Sequence, residues 1–210
     1  MIVLINPNST VSMTEAMLRT ARETVPTAAF EGWTSHDGPP AIQGREDGEV
    51  ATPPLLDLVA RASDAGACAI IIACFDDTAL AQARKLAACP VIGIGQAAYH
   101  MAAMAAERFS VVTTLPVSVP ILEENIFAYG LGGQLGRVRA SNVPVLHLEA
   151  AADATERVLA EIIAADREDG VRAVVLGCGG MVDIARHAKG RTRARLIDGV
   201  RAAALIASGL

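Results

Sequence analysis

Basic side chains are in short supply: 18 Lys and Arg stand against 23 Asp and Glu, giving a formal charge of −5 and a pI near 5.4. That is the wrong sign for a chain that neutralises phosphates, so nucleic acid is not an expected partner. Long apolar runs are missing too. The longest stretch without a polar side chain, Ala65 to Phe75, covers 11 residues, whereas a bilayer span needs about 20. No membrane helix is expected. The start has no basic n-region, and its apolar segment, Met1 to Ile5, stops at Asn6-Pro7, too short for a signal peptide. A cytoplasmic location follows as the expectation. Lysine occurs only at Lys85 and Lys189, both well along helical stretches, which leaves pyridoxal phosphate without a Schiff-base partner. His36, His100, His147 and His187 lack metal-ligand spacing, and no Cys-x-x-Cys pair occurs among Cys68, Cys74, Cys89 and Cys178. A zinc ribbon or a thioredoxin-type site is therefore not expected. The cysteines are left with core packing or thiol chemistry.

What the chain does have is core. Of its 210 residues 52% are apolar, and mean hydropathy is +0.37, enough for one or two compact domains. Short β-branched runs alternate with Ala-rich helical stretches, the pattern of βαβ units and an α/β fold with parallel sheets. The strands predicted are Ile2 to Ile5, Ala69 to Ala73, Val91 to Ile94, Ser110 to Thr113, Val143 to Leu148, Ala173 to Leu176 and Arg195 to Ile197. Helices are predicted over Thr10 to Val25, Pro53 to Ala65, Thr78 to Ala88, Ala97 to Glu107, Pro116 to Tyr129, Ala152 to Asp169, Met181 to Lys189 and Gly199 to Ala207. Trp33 to Pro40 and Gln43 to Gly48 carry Gly, Pro and charge without period and read as a long loop. Gly130 to Gly136 mimics a dinucleotide fingerprint but follows a helix, so it too reads as loop.

An internal repeat is the most informative feature. At an offset of 104, Asp64 to Cys74 falls on Glu168 to Cys178, and acid, Gly, Ala, an aliphatic triplet, a small residue and Cys coincide. The same ungapped offset sets Lys85 on Lys189 and Gly95 on Gly199. Two similar α/β lobes follow, residues 1–96 plus 198–210 and residues 97–197, with one Cys just past a strand end in each. In open α/β sheets ligands bind outside the carboxyl ends of the strands, where the next helix aims its free N–H groups. There a thiol should have its pKa lowered toward neutrality. Two such thiols facing each other across the cleft are the geometry of two-base racemisation: one removes the α-proton and the other returns one to the opposite face. Cys68 and Cys89, inside apolar segments, read instead as small core hydrophobes.

Around them, Cys178-Gly179-Gly180 offers unshielded N–H groups as an oxyanion cradle, and Asp76 and Asp77 fit the first turn of a helix. Asn6 to Thr10 and Val111 to Thr114 end strands at the same mouth, as helix caps or as ligand donors. Neutral groups there favour a polar, uncharged ligand. Trp33 and Phe75 are candidate pocket walls.

Taken together, Ile5 to Thr10, Ile71 to Asp77, Pro90 to Gly95, Phe109 to Thr114, Leu176 to Met181 and Ile197 to Val200 resemble the aspartate/glutamate/hydantoin racemase superfamily, in its hydantoin and allantoin racemase branch. The resemblance implies a two-lobe pseudosymmetric fold with the active site between the lobes, and cofactor-independent racemisation by two cysteines, here Cys74 and Cys178. It implies a cyclic ureide substrate held by Asn8, Gln43, Phe75, Thr113, Thr114 and Gly179. The scattered histidines predict no metal, and the high apolar fraction predicts a homo-oligomer. Relatives are expected to carry an acidic residue at the place of Gln96, so no role is carried over there. A carboxylate isomerase of the same superfamily, acting on aspartate, glutamate or maleate, is the alternative. A catalytically silent ligand-binding protein is the second alternative.

Overall fold

In the computed structural model the most continuously apolar runs become the inner strands of two parallel sheets. The model describes residues 1–151 and 153–210, with Glu149 and Ala150 described by backbone alone. Ala152, the first residue of one predicted helix, lies outside the described residues. The first sheet has the order β2-β1-β3-β4 and the second β6-β5-β7-β8, all pairings parallel. Their strands are β1 (Ile2–Asn6), β2 (Phe30–Thr34), β3 (Ala69–Ile72) and β4 (Val91–Gly93), then β5 (Phe109–Thr113), β6 (Leu135–Ala140), β7 (Ala173–Leu176) and β8 (Arg195–Asp198). The inner strands β1, β3, β5 and β7 are buried at every position, as strands covered by helices on both faces must be. Strands β3 and β7 have the boundaries that the 104-residue offset requires.

The edges differ from expectation. Val143 to Leu148 is no strand: it is a loop leading into α6 (His147–Ala150). The fourth strand of each sheet is instead β2 or β6, which sequence reading misses. Both are edge strands and mostly half-exposed, so their sequences, FEGWT and LGRVRA, carry charge and glycine where an inner strand carries isoleucine.

The remaining helices are α1 (Val11–Thr24), α2 (Arg45–Asp64), α3 (Leu80–Leu86), α4 (Ile94–Ala105), α5 (Val119–Ala128), α7 (Ala154–Glu168), α8 (Ile184–His187) and α9 (Gly199–Ser208). Helix α2 begins at Arg45, well before the predicted Pro53. Its first buried residue is Ala51, so its solvated opening turns show no apolar period. Its internal Pro53 and Pro54 remove two N–H donors, and the Thr52 hydroxyl bonds the Gly48 carbonyl at 2.8 Å beside the gap. No described helix is long and apolar enough to cross a membrane.

The two sheets interlock. Helix α4 leaves the first sheet and packs on β7 and β8, while α9 leaves the second and packs on β3, β4 and α1; α4 and α9 also pack on each other. At their starts Gly95 and Gly199 sit where the backbones come closest. A Cβ on Gly199 would lie 2.6 Å from the Ile94 carbonyl oxygen, and one on Gly95 would strike the Phe75 carbonyl. The few aromatic residues concentrate here, with Tyr99 of α4 packing edge-on to Phe75 at 5.5 Å and stacking on Phe109 at 6.2 Å.

Candidate active site

Both sheets stop their central ladder in the same way. The Ala73 N–H donates to Ile5 O, and the Gly177 N–H to Val112 O, each at 2.8 Å. Cys74 and Cys178 are the next residues, freed from the ladder, and both line one cavity of about 30 Å³. Its other walls are Asn8, Met13, Ile42, Ala73, Phe75, Asp76, Thr113, Thr114, Ser118, Val145, Gly177 and Gly179. The volume admits a water or two but falls far short of the few hundred Å³ of an ordinary ligand pocket. A five-membered ring enters only if a wall moves.

Ile42 brings the segment 35–44 to the cavity wall. It is held to the loop before α6 by Gln43, whose Oε1 accepts from the Val145 N–H at 2.9 Å, and next to it Arg45, the first residue of α2, makes an exposed ion pair with Glu124 of α5 at 2.7 Å. Gly44, at φ +95°, presses on Val117 closely enough that an added Cβ would lie 3.0 Å from its Cγ2. The loop after Cys74 is tied across as well: Asn125 Nδ2 donates to Asp76 O, and the Tyr129 hydroxyl to Asp77 Oδ2, both at 2.8 Å.

The electrostatics reverse one expectation. Burial pushes the Cys178 thiol up to about 12 and raises Cys74 further still, and the Asp76 carboxylate disfavours both thiolates. The predicted helix N-termini do not abut the sulfurs. Helix α3 starts only at Leu80, and Cys178 opens a single 3₁₀ turn over Gly179–Met181. Each thiolate is instead favoured by the N–H two residues on, from Asp76 for Cys74 and from Gly180 for Cys178. Those positions are again 104 apart, so the Gly180 N–H serves the sulfur and the predicted oxyanion cradle loses that donor. Cys74 has one further favourable neighbour, the Thr78 hydroxyl, which is buried without a partner of ordinary hydrogen-bond geometry. Thr78 stands between two left-handed residues, Asp77 at φ +50° and Ala79 at φ +53°, a costly backbone for non-glycine residues.

The two aspartates separate in role. Asp77 is structural, though not in the first turn predicted for it: it accepts from the Gly95 N–H at 3.0 Å, the Gln96 N–H at 2.7 Å and Tyr129, and so caps α4. Asp76 faces the cavity. Burial first, then Asp77 and Asp47, raise its carboxyl to about 7, against the Gly44 N–H, which favours the charge. Sequence reading puts both in a helix turn and does not tell them apart, since adjacent aspartates look alike until one is folded inward.

Seven of the eight predicted site residues meet at the cavity: Cys74, Cys178, Asn8, Phe75, Thr113, Thr114 and Gly179. Gln43 does not line it and acts on the enclosing segment instead. Asn8 spends its carbonyl on the Thr10 N–H at 2.9 Å, while its amide nitrogen has only a weak 3.8 Å contact with Met13 Sδ, leaving a donor for a ligand. Thr113 gives its hydroxyl proton to Gly177 O at 3.0 Å, so toward a ligand it offers lone pairs. Gly179 is needed for close approach, because a Cβ there would lie 2.8 Å from Met17 Sδ. Trp33 is not a pocket wall; it lies on β2, where Arg61 sits 5.5 Å over its ring. Gln96 pairs with Arg84 at 2.6 Å on the outer side of α4, away from the cavity.

The chain matches the Asp/Glu/Hydantoin racemase family over residues 2–207. It is 43% identical over 210 residues to the hydantoin racemase of Rhizobium meliloti, an alignment covering 99% of this chain and 87% of that one. Among solved structures it superposes on an allantoin racemase from Klebsiella pneumoniae with a TM-score of 0.95 and 39% identity, covering 100% of this chain and 86% of that one. An allantoin racemase from Pseudomonas fluorescens gives 0.94 and 33%, with 100% and 89% covered. Twin parallel sheets, a cysteine past the third strand of each and a match that runs nearly end to end lead to one conclusion: this chain belongs to the Asp/Glu/Hydantoin racemase family.

Proposed function

We propose that the protein racemises 5-substituted hydantoins, allantoin among them, without a cofactor, using Cys74 and Cys178 as paired acid and base. The observation that carries the reading is that these two residues, equivalent in the two sheets, line the same cavity. The lobe division at 1–96 plus 198–210 and 97–197 belongs to the same reading. A hydantoin α-proton is already acidified by the adjoining ring carbonyl. One thiolate removes it, the opposite thiol delivers a proton to the other face, and the pair exchanges roles for the other enantiomer. The Asn8 amide is a donor for a ring carbonyl, and the Thr113 lone pairs are acceptors for a ring N–H.

The substrate is uncharged in this reading because Asp76 stands in the cavity. A free amino-acid carboxylate would have to approach it in a poorly screened space. Since the resting pair is two neutral thiols, one must lose its proton before reaction, and the rate rises with pH through the neutral and mildly alkaline range.

The test is racemisation of single-enantiomer hydantoins and allantoin in deuterated water. Cys74→Ser and Cys178→Ser are each expected to lose about 10²- to 10⁴-fold in racemisation, while keeping α-deuterium exchange with only one enantiomer. Parental rates in both variants refute the mechanism. Activity on aspartate, glutamate or maleate with none on hydantoins refutes the substrate.

A further inference from the structure

The turn that joins α7 to β7 has a counterpart 104 residues earlier. Gly66 and Gly170 both stand in the left-handed region, at φ +77° and +65°, where glycine is the least strained residue, so the two turns share a backbone feature that the repeat requires. Their flanking side chains differ. The first lobe places Ser63 and Cys68 where the second places Arg167 and Arg172, and Cys68 is exposed, contrary to its reading as a core hydrophobe. The turn itself therefore needs no cation at either position.

In the second lobe those two arginines meet two more. The chain turns back at Gly190, with the Arg191 N–H donating to Ala188 O at 2.9 Å, and enters β8, where the Arg195 N–H donates to Arg172 O at 2.8 Å. Asp166 ties this turn down, accepting from the Thr192 hydroxyl at 3.0 Å and from the Arg193 N–H at 2.9 Å. Between the turn and the end of α7 lies an open groove of about 640 Å³ lined by Arg167, Arg172, Arg191 and Arg193, within the size range of small-ligand sites. Arg191 is committed to Glu156 through two bonds of 2.7 and 2.8 Å. The guanidinium groups of Arg167, Arg172 and Arg193 make no hydrogen bond or ion pair among the described residues. In a chain with 23 acidic side chains, three cations without a partner line one groove, and their mutual repulsion is relieved by an anion.

We propose that this groove binds a small anion carrying two or more negative charges. Guanidinium forks match phosphate and carboxylate oxygens alike, so the recognised chemistry is that shared by a polyphosphate and a di- or tricarboxylate. A long polyanion is a poorer fit, because the formal charge of the whole chain is −5 and repels it beyond the groove. The site stands apart from the cavity: Arg172 precedes β7 and Cys178 follows it, about 20 Å away along the strand.

The experiment titrates the full chain with pyrophosphate, citrate, acetate and chloride at one ionic strength, by isothermal calorimetry and by thermal melts. Pyrophosphate or citrate is expected to bind once per chain and to raise the melting temperature, and the tighter of the two assigns the ligand to phosphate or to carboxylate chemistry. The double variant Arg167→Gln with Arg172→Gln, and separately Arg193→Gln, are expected to weaken binding by about ten-fold or more while keeping the parental circular dichroism spectrum. Arg19→Gln, an exposed change on α1, is expected to leave binding unaltered. Equal stabilisation by chloride, equal affinity in the parent and the groove variants, or tighter binding of a single-stranded oligonucleotide than of pyrophosphate each overturns the proposal.

Discussion

A carboxyl of raised pKa sits at the same cavity as two thiols of raised pKa, and the three are coupled. Replacing Asp76 by Asn removes the charge that opposes both thiolates, so the acid limb of the pH–rate profile should move to lower pH. Stability should respond with a definite sign. The folded Asp76 keeps its proton up to about 7 against an ordinary 3.8, so between those values the folded state binds more protons than the unfolded one. Its stabilising contribution is therefore present below about pH 4 and lost as pH rises through 7. Thermal melts of Asp76→Asn should lack that fall, leaving the variant more stable than the parent at pH 8. Thr78→Val removes a hydroxyl near Cys74 while keeping its shape; iodoacetamide should then label Cys74 with a higher pH midpoint, Cys178 should be unchanged, and Thr78→Ser should restore the parental profile. The positions of the paired cysteines are legible in the sequence, because a repeat and a strand end are local signals. Their ionisation is not, since burial depends on what folds over them.

The edge strands show why a sheet is easier to read in its middle than at its rim. Ile70 to Ile72 and Val174 to Leu176 announce themselves by composition, whereas β6 carries Arg139 on a strand that sequence reading misses. The structure supplies the partner: Arg139 reaches Asp169 at 2.7 Å and Glu168 at 2.7 Å, and the Arg139 and Asp169 side chains are only 8% and 6% exposed. Burial pushes Asp169 up, but hydrogen bonds from Arg139 and Ser110 outweigh it and hold the carboxyl below its usual range. Arg139→Ala would leave that carboxylate enclosed and unpaired, and is expected to destabilise the protein by about 3 kcal/mol in denaturant titrations. Arg191 with Glu156, an exposed pair, should tolerate the same change with little effect.

For the molecule as a whole, we expect access to the cavity to depend on the 35–44 segment, which places Ile42 in its wall. Gln43→Ala deletes the hydrogen bond from the Val145 N–H, worth about 1 kcal/mol or roughly a five-fold factor. The change should appear as coupled shifts in kcat and KM, while Arg45→Ala at the exposed ion pair leaves both unaltered. Stopped-flow measurement of product release alongside steady-state kinetics checks this, and a change in KM alone would argue for direct contact between Gln43 and substrate. The exchanged packing of α4 and α9 reaches further. Since each half of the chain lends the other a helix, we expect neither half to fold by itself: cut between α4 and β5, near residue 107, the pieces should remain unfolded apart and regain structure only when mixed. The same mutual loan ties the two strand ends that carry the sulfurs to one shared keystone, the crossed pair of helices.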